Sequence, residues 1–235
     1  MVLEALFGKK QLEKTRPVQE ERLEGLRLEN AELTLRNEFY RRIIEKYAAM
    51  IDEYEEKTVP ELKSLINKND PAILELKKRF LDELLADKMK RGGTSADYVF
   101  SEDFLFVADK VFKYCQQLSH IHANLPVSFW LNMKEVSQMQ AADPFDRAIL
   151  LCSLLRAFDG MAKIRVLELE NNLIHPVVLM EFEGKKFLLD TNQKESLLTS
   201  YSGLDLNDVL KSFGYDGNKY LKSAYEFNDE EYVEF

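Results

Sequence analysis

The chain has 235 residues, 46% hydrophobic and 31% charged, with a formal net charge of −9. That length admits one ordinary domain with an appendage or two small domains, and the composition fits a globular chain with a heavily charged helical part. The negative charge disfavours nonspecific binding to nucleic acid or to an anionic membrane surface, so neither is expected as a partner.

The opening "MVLEALFG" is apolar but too short for the core of a signal peptide and runs into "KKQLEKTR", so residues 1–17 read as a flexible N-terminal segment. No run of the sequence has the length of a membrane span. Both cysteines, Cys115 and Cys152, fall inside apolar helical patterns, which suggests two buried thiols and a reducing, cytoplasmic setting.

From about Val18 to Glu56 there is no proline and a single glycine, Gly25. Leu23, Asn30, Asn37, Ile44 and Ile51 recur every seven positions, as do Leu26, Leu33, Tyr40, Tyr47 and Tyr54 three positions later. These are the a and d positions of a heptad repeat, and a helix that keeps a strict seven for so long is expected to supercoil with a partner. Residues 18–58 are therefore read as a coiled coil that makes the chain a homo-oligomer. Asn30 and Asn37 at a positions favour a parallel, in-register dimer, yet that arrangement sets Arg22 against Arg27 and Arg36 against Arg41. A different partner helix, or a long helix folded back on its own domain, stays open.

Residues 59–95 read as a connecting helical hairpin. Pro60 ends the first helix, Asn69 or Asp70 caps a second with Pro71 in its first turn, and "RGGTS" closes the segment. Ser101 is expected to cap a helix reaching about His120, with Phe104, Val107, Ala108, Val111, Phe112, Cys115 and Leu118 as its apolar stripe. A short helix holding Phe129, Trp130 and Leu131 follows. Asp143 then caps a helix with Pro144 at its first position, where Pro144, Ala148, Leu151, Leu155 and Phe158 share one face. Beyond Gly160 the pattern becomes extended at 163–170, 175–182 and 185–190, the last two joined by a tight turn at "EG". A short helix is expected at about 205–213. Residues 225–235 form an acidic, aromatic tail, read as an edge strand, as a linear interaction motif with Tyr232 and Phe235 as contacts, or as a disordered, solvated tail. Helices followed by antiparallel strands indicate an α+β domain, placed at 96–224.

The chemistry centres on Pro144. A thiol at the first position of a helix is favoured as thiolate by the helix dipole, and proline offers the same shape with no chemistry. His175 opens one strand and Asp190 ends the next, fifteen residues later across a hairpin, so both can lie at one end of the sheet. Cysteine, histidine and aspartate in that order would be a nucleophile, its base and the group that orients the base.

The stretch from about Pro126 to Leu198, roughly a third of the chain, resembles the transglutaminase-like branch of the papain-like cysteine hydrolases. "ADPFDRAILLCSLLRAFDG" follows that family's motif helix through Asp143, Asp146, Ala148, Leu150, Leu151, Leu154, Leu155, Arg156 and Ala157, with Gly160 one residue late. "HPVVLMEFEGKKFLLDTN" carries His175 and Asp190 at the family's spacing, and Trp130 in "FWLNMKEV" matches the helix that leads into the motif. The departures are Ala142 for glycine, Pro144 for the catalytic cysteine, Pro176 for alanine and Thr191 for proline. The resemblance implies a papain-like fold in which Pro144, His175 and Asp190 are vestigial triad positions.

It further implies a catalytically inactive protein that acts as an oligomerising scaffold or adaptor for an unidentified protein partner. The alternative is a hydrolase or acyl transferase that uses His175 and Asp190 with an unconventional nucleophile. Cys152 lies two turns beyond Pro144 and is read as core. Cys115, His120 and His122 have no familiar zinc spacing, so neither a metal nor another cofactor is expected. Phe145, with Trp130, is a candidate contact for a partner or a plug for the former cleft, the alternative being simple mutual packing.

Overall fold

The structure is a computed structural model that describes residues 2–91, 97–121, 129–193, 198, 200–201 and 204–235, without the side chains of 2–21, 54 and 55. The chain divides into two compact units, one containing the N-terminal helix and the other built from Glu56–Ala123 and Trp130–Phe235.

The first unit is the helix α1, Val2–Glu55. The segment expected to be flexible is helical from Val2 onward: residues 2–16 are mostly strong helix formers, and the helix continues through Pro17. On α1, Leu23, Leu26, Leu33, Tyr40 and Tyr47 are exposed, as are Asn30 and Asn37, while Ile44 and Ile51 are half-buried. The side chain of Tyr54 lies outside the described residues. Ion pairs Arg36–Glu32, Arg41–Glu45 and Arg42–Glu38 run along the helix at i,i+4 spacing. Exposed pairs of this kind add only about 0.3–0.5 kcal/mol each.

The second unit begins with α2 (Val59–Ser64) and α3 (Pro71–Lys90). Asp70 caps α3 by accepting from the Ala72 N–H at 2.8 Å. These two helices are more than a connector: Leu62, Ile66, Ile73, Leu76, Phe80 and Leu84 belong to the main hydrophobic cluster. The domain boundary expected near residue 95 therefore does not divide the core. The helix α4 (Phe100–Gln117) starts one residue before Ser101, with Val99 as N-cap. Asp103 reaches back to the Val99 N–H at 2.7 Å and pairs with Lys88 at 2.6 Å. It ends at Gln117 because Ser119–His120 (β1) pair in parallel with Ala141–Ala142 (β2).

Between these two strands stands α5 (Met133–Met139), and Phe129, Trp130 and Leu131 precede it instead of forming its body. A reciprocal capping box decides the start: Asn132 accepts from the Glu135 N–H at 3.0 Å and Glu135 from the Asn132 N–H at 2.9 Å.

The helix α6 (Pro144–Ala157) is the centre of the unit. Ile149, Leu150, Leu151, Cys152, Leu154 and Leu155 are each at most 1% exposed, as expected of a helix apolar on every side. It packs on α3 and α4 and on the strands β3 (Met161–Leu169) and β4 (Leu173–Phe182). At the end of α6 a Cβ on Gly160 would stand 2.3 Å from Phe104 Cζ and 2.9 Å from the Leu155 carbonyl oxygen. Gly160→Ala is thus expected to lower the unfolding free energy by about 1–3 kcal/mol, and an unchanged denaturation midpoint would contradict this close approach.

The sheet continues through β5 (Lys185–Leu189), which returns from β4 across a two-residue turn with positive φ at both Glu183 (49°) and Gly184 (73°), the conformation that matches strand twist. A short helix α7 (Leu206–Lys211) leads to β6 (Gly214–Tyr215), β7 (Asn218–Phe227) and β8 (Tyr232–Glu234). The strand order is β5-β4-β3-β7, all antiparallel, with β6 and β8 both pairing with β7. Side chains from alternate positions divide between two clusters. Ala162, Ile164, Val166, Val178 and Met180 join α6, while Leu167, Leu169 and Val177 meet Leu210 of α7.

The architecture is α+β with a long N-terminal helix and an antiparallel sheet. The segment set apart as a tail, 225–235, is part of that sheet: Phe227 is 0% exposed, and β8 folds back on Tyr225–Phe227. Asn228 fixes the return by accepting from the N–H groups of Glu230 and Glu231, both at 2.8 Å.

Candidate functional site

At the N-terminus of α6, Asp143 accepts from the Asp146 N–H at 2.8 Å, and Pro144 occupies the first helical position. Asp146 points the other way and accepts from the Leu131 N–H at 3.2 Å, which ties the segment before α5 to this first turn. The rings of Trp130 and Phe145 meet edge to face with centroids 5.6 Å apart. Both are half-buried, so these two expected partner contacts pack against each other.

Burial pushes the Asp146 carboxyl up to about 8, and the neighbouring Asp143 adds to the shift. Burial also raises Asp143, against hydrogen bonds from the Asp146 and Phe145 backbone. Between the unfolded aspartate value of about 4 and that raised value, the folded chain holds a proton that the unfolded chain has lost, so this group's contribution falls as pH rises. Asp146→Asn keeps an acceptor for Leu131 and cannot ionise. It is expected to be about 1–2 kcal/mol more stable than the parent at pH 8–9 and nearly equal to it at pH 4, and parallel stability curves for the two proteins would contradict this.

His175 and Asp190 meet as their spacing suggests. Nε2 of His175 lies 3.0 Å from Oδ2 of Asp190, and each side chain is 1% exposed. The strand β4 supplies His175 and the end of β5 supplies Asp190. The Asp190 carboxylate also accepts from the Asn192 N–H at 2.9 Å, the Asn192 side-chain amide at 3.2 Å and the Gln193 amide at 2.9 Å. Over the imidazole lies the ring of Tyr215, stacked at 4.0 Å and 26°, with Phe213 at 5.8 Å. With one nitrogen bound to the carboxylate and a ring face covered, the histidine is closed off from solvent.

Arg147 joins this pair to α6. Its guanidinium donates to the Thr191 carbonyl at 3.3 Å and to the Leu118 carbonyl at 2.6 Å. Burial pulls its pKa below the ordinary arginine value, while Cys115, Tyr215, Asp143 and Asp190 act in the opposite direction. The first turn of α6 therefore stands beside the Asp190 end of the sheet. The sequence signal for Arg147 is an arginine set directly before the apolar run Ala148–Cys152.

Chemically, the arrangement holds a base and the carboxylate that orients it. Cys115 and Cys152 are unpaired and 0% exposed. Burial raises both thiols well above the ordinary value, with Arg147 and Arg156 respectively opposing the shift; both therefore stay protonated at neutral pH. Cys152 is core, as its position in α6 suggests. Among the described residues no group of three His, Cys, Asp or Glu side chains is arranged to hold a metal ion; His122 lies outside them.

The other candidate contacts do not touch the pair. Tyr232 stacks on Tyr225 at 5.6 Å and donates to Glu234 at 3.0 Å, while the Arg165 guanidinium lies 4.3 Å from the Phe235 ring. A cleft of about 390 Å³, lined by residues including Arg156, Lys163, Arg165, Glu181, Lys186 and Tyr201, includes none of Pro144, His175 and Asp190 in its wall.

No protein-family model matches the chain, and no curated protein matches it. Among solved structures, it is similar to Legionella pneumophila LapG at 16% identity, over 67% of this chain and 87% of that one, with a TM-score of 0.41. The calcium-bound form of LapG gives 16% identity over 68% and 86%, with a TM-score of 0.42. A candidate cysteine protease from Cytophaga hutchinsonii gives 20% identity over 61% of this chain and 48% of that one, with a TM-score of 0.31. Similarities this low carry no residue roles across to this chain.

Proposed function

We propose that this chain is a non-catalytic transglutaminase-like protein that self-associates through α1 and serves as an adaptor for another protein in the cytoplasm. One observation carries the reading: proline occupies the first position of α6, whose first turn is tied through Arg147 to Thr191, next to the Asp190 that bonds a histidine 1% exposed beneath Tyr215. A hydrolytic site needs its base within reach of a substrate proton and a nucleophile within reach of the base. The burial of His175 beneath Tyr215 and the proline at the start of α6 support the reading that neither condition is met. The motif spacing, the α+β order of elements and the contact between Arg147 and Thr191 support the transglutaminase-like reading.

The exposed heptad face of α1 supports self-association. Two free, buried thiols are in keeping with a reducing compartment. No described helix is long and apolar enough to cross a membrane.

A thiol-directed probe tests the inactive site. Native full-length protein treated with iodoacetamide is expected to remain unlabelled at Cys115 and Cys152 until denaturant is added. Stoichiometric labelling of the native protein that abolishes a hydrolase or transferase activity would overturn the proposal.

A further inference from the structure

The heptad face of α1 carries information on strand direction as well as on association. In a parallel, in-register pair, g positions face e positions five residues on in the partner. This sets Arg22 against Arg27 and Arg36 against Arg41, each twice by symmetry. It also stacks Asn30 and Asn37 on themselves and leaves Tyr40 and Tyr47 facing their own copies. All four arginines are exposed on α1; Arg36 and Arg41 bond to acidic residues of the same helix, Glu32 and Glu45. Those bonds do not remove the like-charge juxtaposition.

Turning one helix around changes every layer. In an antiparallel pair an a position faces a d position, and g flanks g while e flanks e. In the register with the greatest overlap of the five heptads at 23–54, the two residue numbers in each a-to-d layer sum to 77. Leu26 then faces Ile51 and Leu33 faces Ile44, so branched aliphatic side chains meet each other. Asn30 faces Tyr47 and Asn37 faces Tyr40, which gives each amide a phenol hydroxyl that can both donate and accept. The flanking neighbours become Glu29 with Met50, Arg36 with Ile43, Arg27 with Ala48 and Thr34 with Arg41. The arginine-against-arginine contacts are removed, a single kind of like-charged pair, Glu20 with Glu55, remains at the ends of the overlap, and the long arginine stems cover apolar neighbours.

We infer that α1 binds a second copy of this chain as an antiparallel coiled coil in this register, an inference that rests on the self-association proposed above. The pairing makes α1 a spacer. The two Glu55 ends stand about 50 Å apart along the coil, at 1.5 Å per residue over 33 residues, so the copies leave the coil at opposite ends.

Spin labels on α1 test the direction in the full chain. Leu28 and Ala49 are both exposed, away from the a and d face, and the native cysteines are 0% exposed and take no label. Leu28→Cys and Ala49→Cys proteins are labelled separately, and then mixed. The antiparallel pair puts position 28 level with position 49 of the partner and separates 28 from 28 by about 32 Å along the axis. The expected result is a mass of two chains by light scattering and a 28-to-49 distance shorter than the 28-to-28 distance. A shorter 28-to-28 distance in a dimer overturns the direction while leaving self-association standing. A monomer at all accessible concentrations, or a dimer that persists unchanged when α1 is broken by Leu33→Pro, overturns both.

Discussion

Asp190→Ala is expected to lower the unfolding free energy by about 3–5 kcal/mol, the scale for removing one partner of a buried charged network. The carboxylate is 1% exposed and is bonded to His175, to the Asn192 N–H and side chain, and to Gln193. Alanine leaves the imidazole of His175 unmatched beneath Tyr215, where water does not replace the lost acceptor, while the half-buried Asn192 and Gln193 lose theirs nearer the surface. The Gln193 amide retains a bond to the Gly214 carbonyl at 3.1 Å, which softens the loss on one side. Asp190→Asn keeps one acceptor oxygen and is expected to lose less than half as much. Urea unfolding followed by circular dichroism measures both, and a loss below about 1 kcal/mol for alanine, the size of one ordinary hydrogen bond, would show that this network does not hold the strand ends.

The second large effect lies across the sheet. Glu226 is 4% exposed and accepts from Arg165 Nε at 2.9 Å, from Arg165 Nη2 and from Lys163 Nζ. Arg165 is itself only 7% exposed. Glu226→Ala leaves that guanidinium without its counter-charge and is expected to cost about 3–5 kcal/mol, whereas Glu226→Gln keeps an acceptor and costs less. Burial alone would raise the Glu226 carboxyl, but the bonds from Lys163 and Arg165 outweigh it and hold the group below its ordinary value of 4.5. A carboxyl depressed on folding stabilises the chain above its unfolded value, and that contribution disappears as pH falls through the folded one. The gap between parent and Glu226→Ala should therefore be full at pH 6–7 and narrow below pH 4. A gap that is independent of pH would mean packing, not charge, sets the loss.

Where the pattern is local, the sequence was readable. The heptads of α1, the capped apolar helix at Pro144 and the strands before and after Glu183–Gly184 follow from periods of seven, 3.6 and two, and from turn residues that act within a few positions. His175 and Asp190 were paired from their spacing across that hairpin. Trp130 and Phe145 are legible as a pair, whereas the start of α5 depends on the Asn132-to-Glu135 capping box, a stronger signal than the apolar run Phe129–Leu131.

What stayed hidden depends on contacts distant in sequence. Tyr225, Phe227 and Tyr232 alternate with acidic residues, a pattern that suits a motif as well as a strand, and only pairing with β3 some sixty positions earlier decides it. Nothing near His175 announces that Tyr215, forty residues on, lies over its ring. Arg147 falls in the same class, since its two carbonyl partners come from residues 118 and 191. The place of α3 in the core follows from its packing on α4 and α6, and that of α2 from Leu62 in the same cluster, which hairpin-like spacing does not reveal.

The most direct test of the central claim is to measure turnover and melting temperature together for the full-length protein and for His175→Ala, across a panel of peptide amides, glutamine-containing peptides and esters. With Pro144 at the helix terminus and the imidazole beneath Tyr215, neither protein is expected to turn over any substrate, and the variant is expected to melt several degrees lower. Turnover by the parent that vanishes in His175→Ala while the melting temperature stays the same would contradict the account.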